Sequence, residues 1–366
     1  MSAPDTLVAE LTYACPLRCA YCSNPTSYTR QMLSTDAWKA AIAESAAIGV
    51  LQLHLTGGEP LLRDDLEALI TEGRAQDLYV NLITSGLPLA RSRLEQLRDA
   101  GLDHVQLSFQ SADAAHNDRL GGIASFSRKK AVARWVTELG LRLTLNVVLH
   151  RGNIHEVPQL VALGRELGAQ RIELANTQFL GSALANRDAL LPTRAQLEVA
   201  RAEVARLRPT MNGIELTFVL PDYLAATPRA CMGGWAQRYL VIAPDGAVLP
   251  CQAASAITTL AWERVGQRAL ADIWRDSPAL VAYRGEAWMK PPCNTCERRT
   301  LDFGGCRCQA FLLTGDAAAT DPACTLSPDH ALVESAIGDA ASAPTQMGPG
   351  RRLKLLSSNA TSTGED

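Results

Sequence analysis

The chain has 366 residues, 47% of hydrophobic and 20% of charged types, with 35 Lys+Arg against 38 Asp+Glu for a formal net charge of -3. That composition excludes a disordered or collagen-like chain. The near-neutral balance speaks against a surface built for general nucleic-acid binding, and no run approaches the ~18 apolar residues of a membrane span.

The opening MSAPDTLVAELTY has no basic region followed by an apolar one, so no secretory signal is read and a cytoplasmic location is expected. Six strands are predicted next, at Leu7–Thr12, Val50–Leu55, Leu78–Thr84, His104–Phe109, Leu141–Leu149 and Arg171–Asn176. Helix-like stretches near 35–48, 62–76, 90–100, 124–138 and 155–167 separate them, with Ser34 and Thr35 as candidate caps of the first. Gly49, Gly101, Gly140 and Gly168 stand where helices should end. Strands alternating with helices predict parallel βα units. Lacking a dinucleotide-type glycine loop, the six units favour a partial barrel over a doubly wound sheet, though the pattern alone leaves both open.

Residues 187–208 read as one helix, and Ile214–Leu220 and Tyr239–Ile242 as strands. From 251 to 326 Cys, Pro, Gly and Trp are dense and helical periodicity is weak, which predicts a region folded around metal. A last helix is expected at 329–340, and a flexible tail from Ser342.

The ten cysteines fall at 15, 19 and 22, then at 231, 251, 293, 296, 306, 308 and 324. Clustered thiols in a chain without a secretory signal point to metal binding more than to disulfides. Cys15, Cys19 and Cys22 are spaced C-x3-C-x2-C after the first strand. Three thiolates there can hold three irons of a cubane cluster and leave the fourth iron open to a small molecule. Zinc with a distant fourth ligand, or unrelated free thiols, is the alternative. After the second strand comes His54-Leu-Thr-Gly-Gly-Glu-Pro60: Gly57 and Gly58 free the backbone for close approach, and Glu59 offers a carboxylate to an amino group.

Taken together, the C-x3-C-x2-C loop and the Gly57-Gly58-Glu59-Pro60 turn resemble the radical S-adenosylmethionine family. The resemblance implies a partial (β/α)6 TIM-like barrel, α/β in class. It implies a [4Fe-4S] cluster on Cys15, Cys19 and Cys22, with S-adenosyl-L-methionine chelating the open iron and Gly57, Gly58, Glu59 and Pro60 at its amino group. Tyr21 matches an aromatic position near the adenine. Ser108 and Asn146, at later strand ends, are candidates for the ribose and carboxylate, against ordinary strand-end hydrogen bonding.

The second group resembles the SPASM pattern, C-x2-C-x5-C-x3-C. Cys293, Cys296 and Cys306 fit it, while its third cysteine falls on Asp302, whose carboxylate is a harder iron ligand. Seen alone, the region suits a pair of zinc sites as well. Within the family the chain is similar to the peptide cyclases of pyrroloquinoline quinone biosynthesis. The similarity rests on CPLRCAYCSNP (15–25), NLITSG (81–86), GLDHVQLS (101–108), HRGNIHEVP (150–158), YRGEAWMKPPC (283–293), GGCRCQAFLLTG (304–315) and TGDAAATDPACTLSP (314–328). This implies an auxiliary [2Fe-2S] or [4Fe-4S] cluster on Cys231, Cys251, Cys306 and Cys308. It implies a second auxiliary [4Fe-4S] cluster on Cys293, Cys296, Asp302 and Cys324.

The implied reaction joins the γ-carbon of a glutamate to the ring carbon ortho to a tyrosine hydroxyl in a ribosomally made precursor peptide. Implied partners are that peptide, a small PqqD-like peptide chaperone and an electron donor such as flavodoxin, with no nucleic acid and no membrane. The implied organisation is a radical core over 1–185, a link over 186–230, the auxiliary-cluster domain over 231–330, and a helix and tail over 331–366. A related maturase making a thioether or other crosslink, or a non-enzymatic zinc or iron–sulfur module, is the competing reading. Two minor expectations remain. Trp235, Trp262, Trp274 and Trp288 pack around metal-organised loops in preference to lining a groove. Asp113, His116 and Asp118 take surface or capping roles in preference to proton transfer.

Overall fold

A computed structural model describes residues 3–25, 27–29, 32–342 and 354–356 of the chain. The strands are β1 (Thr6–Glu10), β2 (Gln52–Thr56), β3 (Tyr79–Thr84), β4 (His104–Phe109), β5 (Arg142–Leu149), β6 (Arg171–Asn176), β7 (Glu215–Phe218), β8 (Tyr239–Ile242) and β9 (Val248–Leu249). They form one sheet in the order β9-β8-β1-β2-β3-β4-β5-β6-β7. Every pairing is parallel except that of β9 with β8. From β1 to β7 each strand pairs with the next in sequence, with no reversal, which is the winding of a barrel and not of a dinucleotide fold. The two edge strands, β7 and β9, are not paired with each other, so the barrel is partial.

The intervening helices are α1 (Thr35–Ala47), α2 (Leu66–Ala75), α3 (Arg91–Asp99), α4 (Ala114–Gly121), α5 (Phe126–Glu138) and α6 (Val157–Glu166). Ser34 caps α1 by accepting from the Ala37 N–H, whereas Thr35 begins the helix and donates to Asp65. The four predicted helix-ending glycines all take a positive φ. Alternate strand residues Leu53, Leu55, Val80, Leu82, Val105, Leu107, Leu143, Leu145, Ile172 and Leu174 are fully buried. Side chains of Leu53, Val80, Leu107, Leu145 and Ile172 lie so near Gly73, Gly86 or Gly164 that an added Cβ would touch them, so this face meets the helices. The residues between them, among them His54, Asn81, His104, Gln106, Ser108, Thr144, Asn146 and Glu173, therefore face the inside. The barrel thus has an apolar outer face and a polar interior.

The predicted helix at 187–208 is two. Short α7 (Gly181–Ala185) and α8 (Arg187–Leu190) precede Pro192, and α9 (Arg194–Leu207) restarts behind it. Thr193 and Gln196 form a reciprocal capping box there, so the restart has its own N-terminal signal. Helix α4 was not expected from sequence. Beyond β9 come α10 (Leu270–Asp276), α11 (Pro278–Val281), α12 (Arg299–Asp302), α13 (Arg307–Thr314) and α14 (His330–Ser342), joined by turns. The expected flexible tail lies outside the described residues, apart from Lys354–Leu356, which pairs in parallel with Ser27–Thr29.

Candidate metal centres

The first cysteine loop leaves the end of β1 and is folded over the turn that follows β2. The Gly58 and Glu59 amides donate to the carbonyls of Thr12 and Ala14, the latter at 2.8 Å, and Asn24 Nδ2 donates to Gly57 O at 2.7 Å. A Cβ at Gly58 would overlap the Ala14 carbonyl oxygen and stand 2.6 Å from that of Tyr13; Gly57, at φ +128°, would overlap Thr12 O. The sequence suggested that these glycines admit a ligand. In the structure they admit the backbone of the cysteine loop itself. Glu59 is wholly buried. Its Oε1 accepts from Leu61 N and Thr84 Oγ1 and its Oε2 from Ser85 N and Oγ, at 2.5–3.2 Å.

Cys15, Cys19 and Cys22 converge closely enough that each of the last two raises the Cys15 thiol, which is pushed up to about 12, first by burial and then also by the Glu59 charge. Burial pushes Cys19 up to about 11, against the pull of the Lys129 ammonium. The Tyr21 hydroxyl is hydrogen-bonded to the Cys19 sulfur and to Gln110, and its ring stacks on His150 with centroids 5.3 Å apart. Around Tyr21 pack Ala183, Leu190 and Phe179. Helix α7 clamps the loop from that side. Ala183 N donates to Cys22 O at 3.2 Å, Asn186 Nδ2 donates to Ala20 O at 3.3 Å, and a Cβ on Gly181 would overlap Asn24 O. Ser108 and Asn146 are register partners on β4 and β5, side by side on the inner face.

Lys129 was missed from sequence. It is fully buried on α5, donates to Gln110 Oε1, and is brought down to about 8 by burial, with Cys19 and Glu59 opposing. Its signal was present: Lys129 shares the buried stripe of α5 with Val132, Ala133 and Val136, where a lysine is out of place.

At the other end of the chain, Cys231, Cys251, Cys306 and Cys308 meet sulfur to sulfur, with Cys251 Sγ 3.8 Å from Cys308 Sγ. All ten cysteines are free thiols. In this tetrad Cys231 is raised, first by its hydrogen bond to Cys251, and Cys306 is pushed up to about 12, first by its bond to Cys231. Cys308 is raised by Cys251 and Cys306, and only Cys251, which accepts from Cys231 and Cys308, is lowered. Four crowded thiols oppose one another's ionisation unless a cationic group sits among them, which is how this donor set fits a metal cluster.

Cys293, Cys296, Asp302 and Cys324 line one small cavity with Pro228, Pro292 and Thr320. Burial raises Cys324, and Cys293, Asp302 and Cys296 add to the effect. Asp302 ends α12. Its Oδ1 accepts from Gly304 N at 3.0 Å, and its Oδ2 pairs with Arg298 at 3.4 Å. Among the described residues no three His, Cys, Asp or Glu side chains are arranged to hold a single metal ion. Three cysteines and a carboxylate around a shared void suit a larger group.

The first cysteine loop and the tetrad are tied to each other through β1. Glu10, buried at the end of β1, accepts from Tyr13 Oη at 2.8 Å and from Gln252, beside Cys251, at 3.0 Å. Trp235 lies 6.3 Å from Trp262 and 5.1 Å from Tyr283, which in turn meets Trp288, while Arg284 lies over Trp274 at 4.8 Å. Asp113 caps α4, Asp118 accepts from Ser125 N and Phe126 N at the start of α5, and His116 Nδ1 lies 2.6 Å from Glu156.

Comparison with known proteins matches residues 9–163 to the radical SAM superfamily and residues 231–297 to SPASM, an iron–sulfur cluster-binding domain. A PqqA peptide cyclase from Granulibacter bethesdensis is 49% identical over 91% of this chain and 90% of its own length. One from Methylobacterium nodulans is 51% identical over 92% and 89%. Among solved structures, Streptococcus suis SuiB bound to S-adenosylmethionine superposes with a TM-score of 0.75 at 20% identity, covering 89% of this chain and 78% of SuiB. The same enzyme bound to its precursor peptide SuiA gives 0.73 at 20% identity over 89% and 77%. At that identity the likeness speaks for the fold alone.

Proposed function

The chain belongs to the radical SAM superfamily, in its group of SPASM-bearing PqqA peptide cyclases, and from that premise we propose that it makes the glutamate–tyrosine crosslink of pyrroloquinoline quinone biosynthesis. The bond joins the glutamate γ-carbon to the ring carbon ortho to the tyrosine hydroxyl within one precursor peptide, with net loss of two hydrogens. The observation that carries this reading is the sorting of ten free thiols into a loop of three at a barrel strand end, a tetrad, and a set of three facing Asp302.

In this reading Cys15, Cys19 and Cys22 hold one [4Fe-4S] cluster; Cys231, Cys251, Cys306 and Cys308 hold an auxiliary [2Fe-2S] or [4Fe-4S]; and Cys293, Cys296, Asp302 and Cys324 hold a second auxiliary [4Fe-4S]. When bound, S-adenosylmethionine and the clusters supply hydrogen abstraction from an unactivated C–H bond and an acceptor for the second electron. The chain's own work is placement. The Gly57–Pro60 turn is pinned to the cysteine loop, so the amino-binding and iron-binding segments move as one body. Thr84 and Ser85 hold the Glu59 carboxylate in a fixed orientation. Lys129 brings a buried cation to a site that gathers three thiolates and a carboxylate, favouring their ionised forms. Tyr21 presents its ring beside the cluster loop, and Ser108 and Asn146 offer neighbouring polar groups on the inner wall. The peptide is delivered by a small PqqD-like chaperone and the electron by a flavodoxin-type donor, in the cytoplasm.

Anaerobically reconstituted protein is expected to hold about ten to twelve irons and to cleave S-adenosylmethionine under reduction. Incubated with its precursor peptide it should produce a loss of about 2 Da, mapped by tandem mass spectrometry to one Glu–Tyr pair. A crosslink through cysteine would assign it to a different maturase reaction, and a zinc-filled protein without cleavage would end the enzymatic reading.

A further inference from the structure

Asp321 lies between the tetrad and the Asp302 set and ligates neither in the reading above. It is fully buried. Its Oδ2 accepts from the Cys306 N–H at 2.6 Å, and its Oδ1 accepts from Gln309 Nε2 at 2.7 Å and Ala323 N at 2.9 Å. Its own carbonyl accepts from the Cys324 N–H at 2.9 Å. One residue therefore grips the backbone of a cysteine in each auxiliary set.

The surroundings leave it no room to move. A Cβ at Gly305 would overlap Asp321 Oδ2 and stand 2.6 Å from its Cβ, so only glycine fits opposite the carboxylate. Buried Arg307, between Cys306 and Cys308, donates to the carbonyls of Gly304, Ala317 and Ala319 and lies over Trp288 at 4.6 Å. It ties the segment carrying Cys306 and Cys308 to the loop leading into Asp321 and Cys324. The three groups that donate to its carboxylate are all neutral N–H donors. A buried carboxylate held by N–H donors next to a thiolate site is costly, and position alone could be had from a neutral group.

We propose that Asp321 is a positioning residue shared by the two auxiliary sites, holding Cys306 and Cys324 in fixed relation and keeping a negative charge beside the tetrad that lowers the reduction potential of the group bound there. The inference rests on reading both sites as iron–sulfur centres. A fixed negative charge disfavours adding an electron nearby, so the auxiliary group is a weaker oxidant than it would be beside a neutral side chain.

The test uses the full chain, reconstituted anaerobically, with iron counted per chain and the auxiliary signals followed by electron paramagnetic resonance at poised potentials. In Asp321→Asn, at the potential that half-reduces the wild-type tetrad group, the reduced-to-oxidised ratio should rise roughly tenfold or more, the order expected when one neighbouring charge is removed. Asn offers a single accepting oxygen, so at least one of the three donors to the side chain loses its partner, while the main-chain carbonyl still accepts from Cys324. Asp321→Ala should lose iron from both auxiliary sites while the Cys15/Cys19/Cys22 site keeps its own. An unshifted ratio in the Asn variant, loss confined to one auxiliary site in the Ala variant, or loss from all three sites overturns the proposal. Wild-type protein lacking auxiliary iron signals would instead overturn the functional reading beneath it.

Discussion

Asp302 occupies a position where the family pattern has a thiol, and the structure puts its carboxylate on the same cavity as Cys293, Cys296 and Cys324. Asp302→Ala is therefore expected to change the resonance signature of that site, or cut its iron by up to about four per chain, while S-adenosylmethionine cleavage persists. An unchanged spectrum would remove Asp302 from the ligand set. At this scale the cysteines and Asp302 were legible because ligand chemistry restricts residue type, and spacing gives away the loop. The four-way grouping of Cys231 and Cys251 with Cys306 and Cys308 came through resemblance and not through spacing, since contacts more than fifty residues apart leave no local pattern. Lys129 and Asp321 were not seen for a related reason. A single polar residue that is buried looks like any surface residue until its neighbours are known. Gly58 was read as room for a ligand and is seen to admit the cysteine-loop backbone as well: sequence shows that a glycine permits close approach, not all that approaches.

Helix α7 shows the same limit for a whole element. Its sequence carries no sign of a partner; in the structure it braces the Cys22 end of the cluster loop. Gly181 takes φ +53°, and a side chain there would overlap Asn24 O. Gly181→Ala should cost about 1–3 kcal/mol locally and loosen the first site. The expected result is faster iron loss to a chelator from the Cys15/Cys19/Cys22 site, with the auxiliary signals unchanged; equal loss from every site would refute the bracing role. Elements with strong periodicity were read to within a few residues, as β4 and β6 were without error. Those whose form depends on a turn, such as the break at Pro192 or the unexpected α4, were misjoined or missed. Their determinants are caps and tertiary contacts, which carry little hydrophobic rhythm.

Across the whole molecule, three histidines are kept neutral by burial: His54 and His104 are lowered to about 4 and His150 to about 3. An unfolded histidine titrates near 6.5, so between there and pH 4 the unfolded chain takes up protons that the folded one refuses. Stability is thus present in full above about pH 6.5 and lost as pH falls toward the folded values. Each of these histidines should forfeit on the order of 2 kcal/mol by pH 5. Denaturant titration of the iron-free protein at pH 7 and pH 5 measures the loss. His104→Gln, which can keep a hydrogen bond to Thr144, should recover about a third of it, and an equal loss in wild type and variant would exclude His104 as a source.

The pairing of β8 with β1 bears on how the chain is made. Strand β1 has β2 on one side within the first sixty residues, but its other neighbour begins at Tyr239. During synthesis at about 5–20 residues per second, the first cysteine loop and its brace emerge well before that strand, and the last auxiliary cysteine, Cys324, emerges later still. For ten seconds or more, on the order of that rate, the nascent barrel carries an unprotected strand edge beside an exposed cysteine loop. That edge closes only when Tyr239–Ile242 pairs with Thr6–Ala9, so the barrel that holds the first cysteine loop is completed from the far side of the chain.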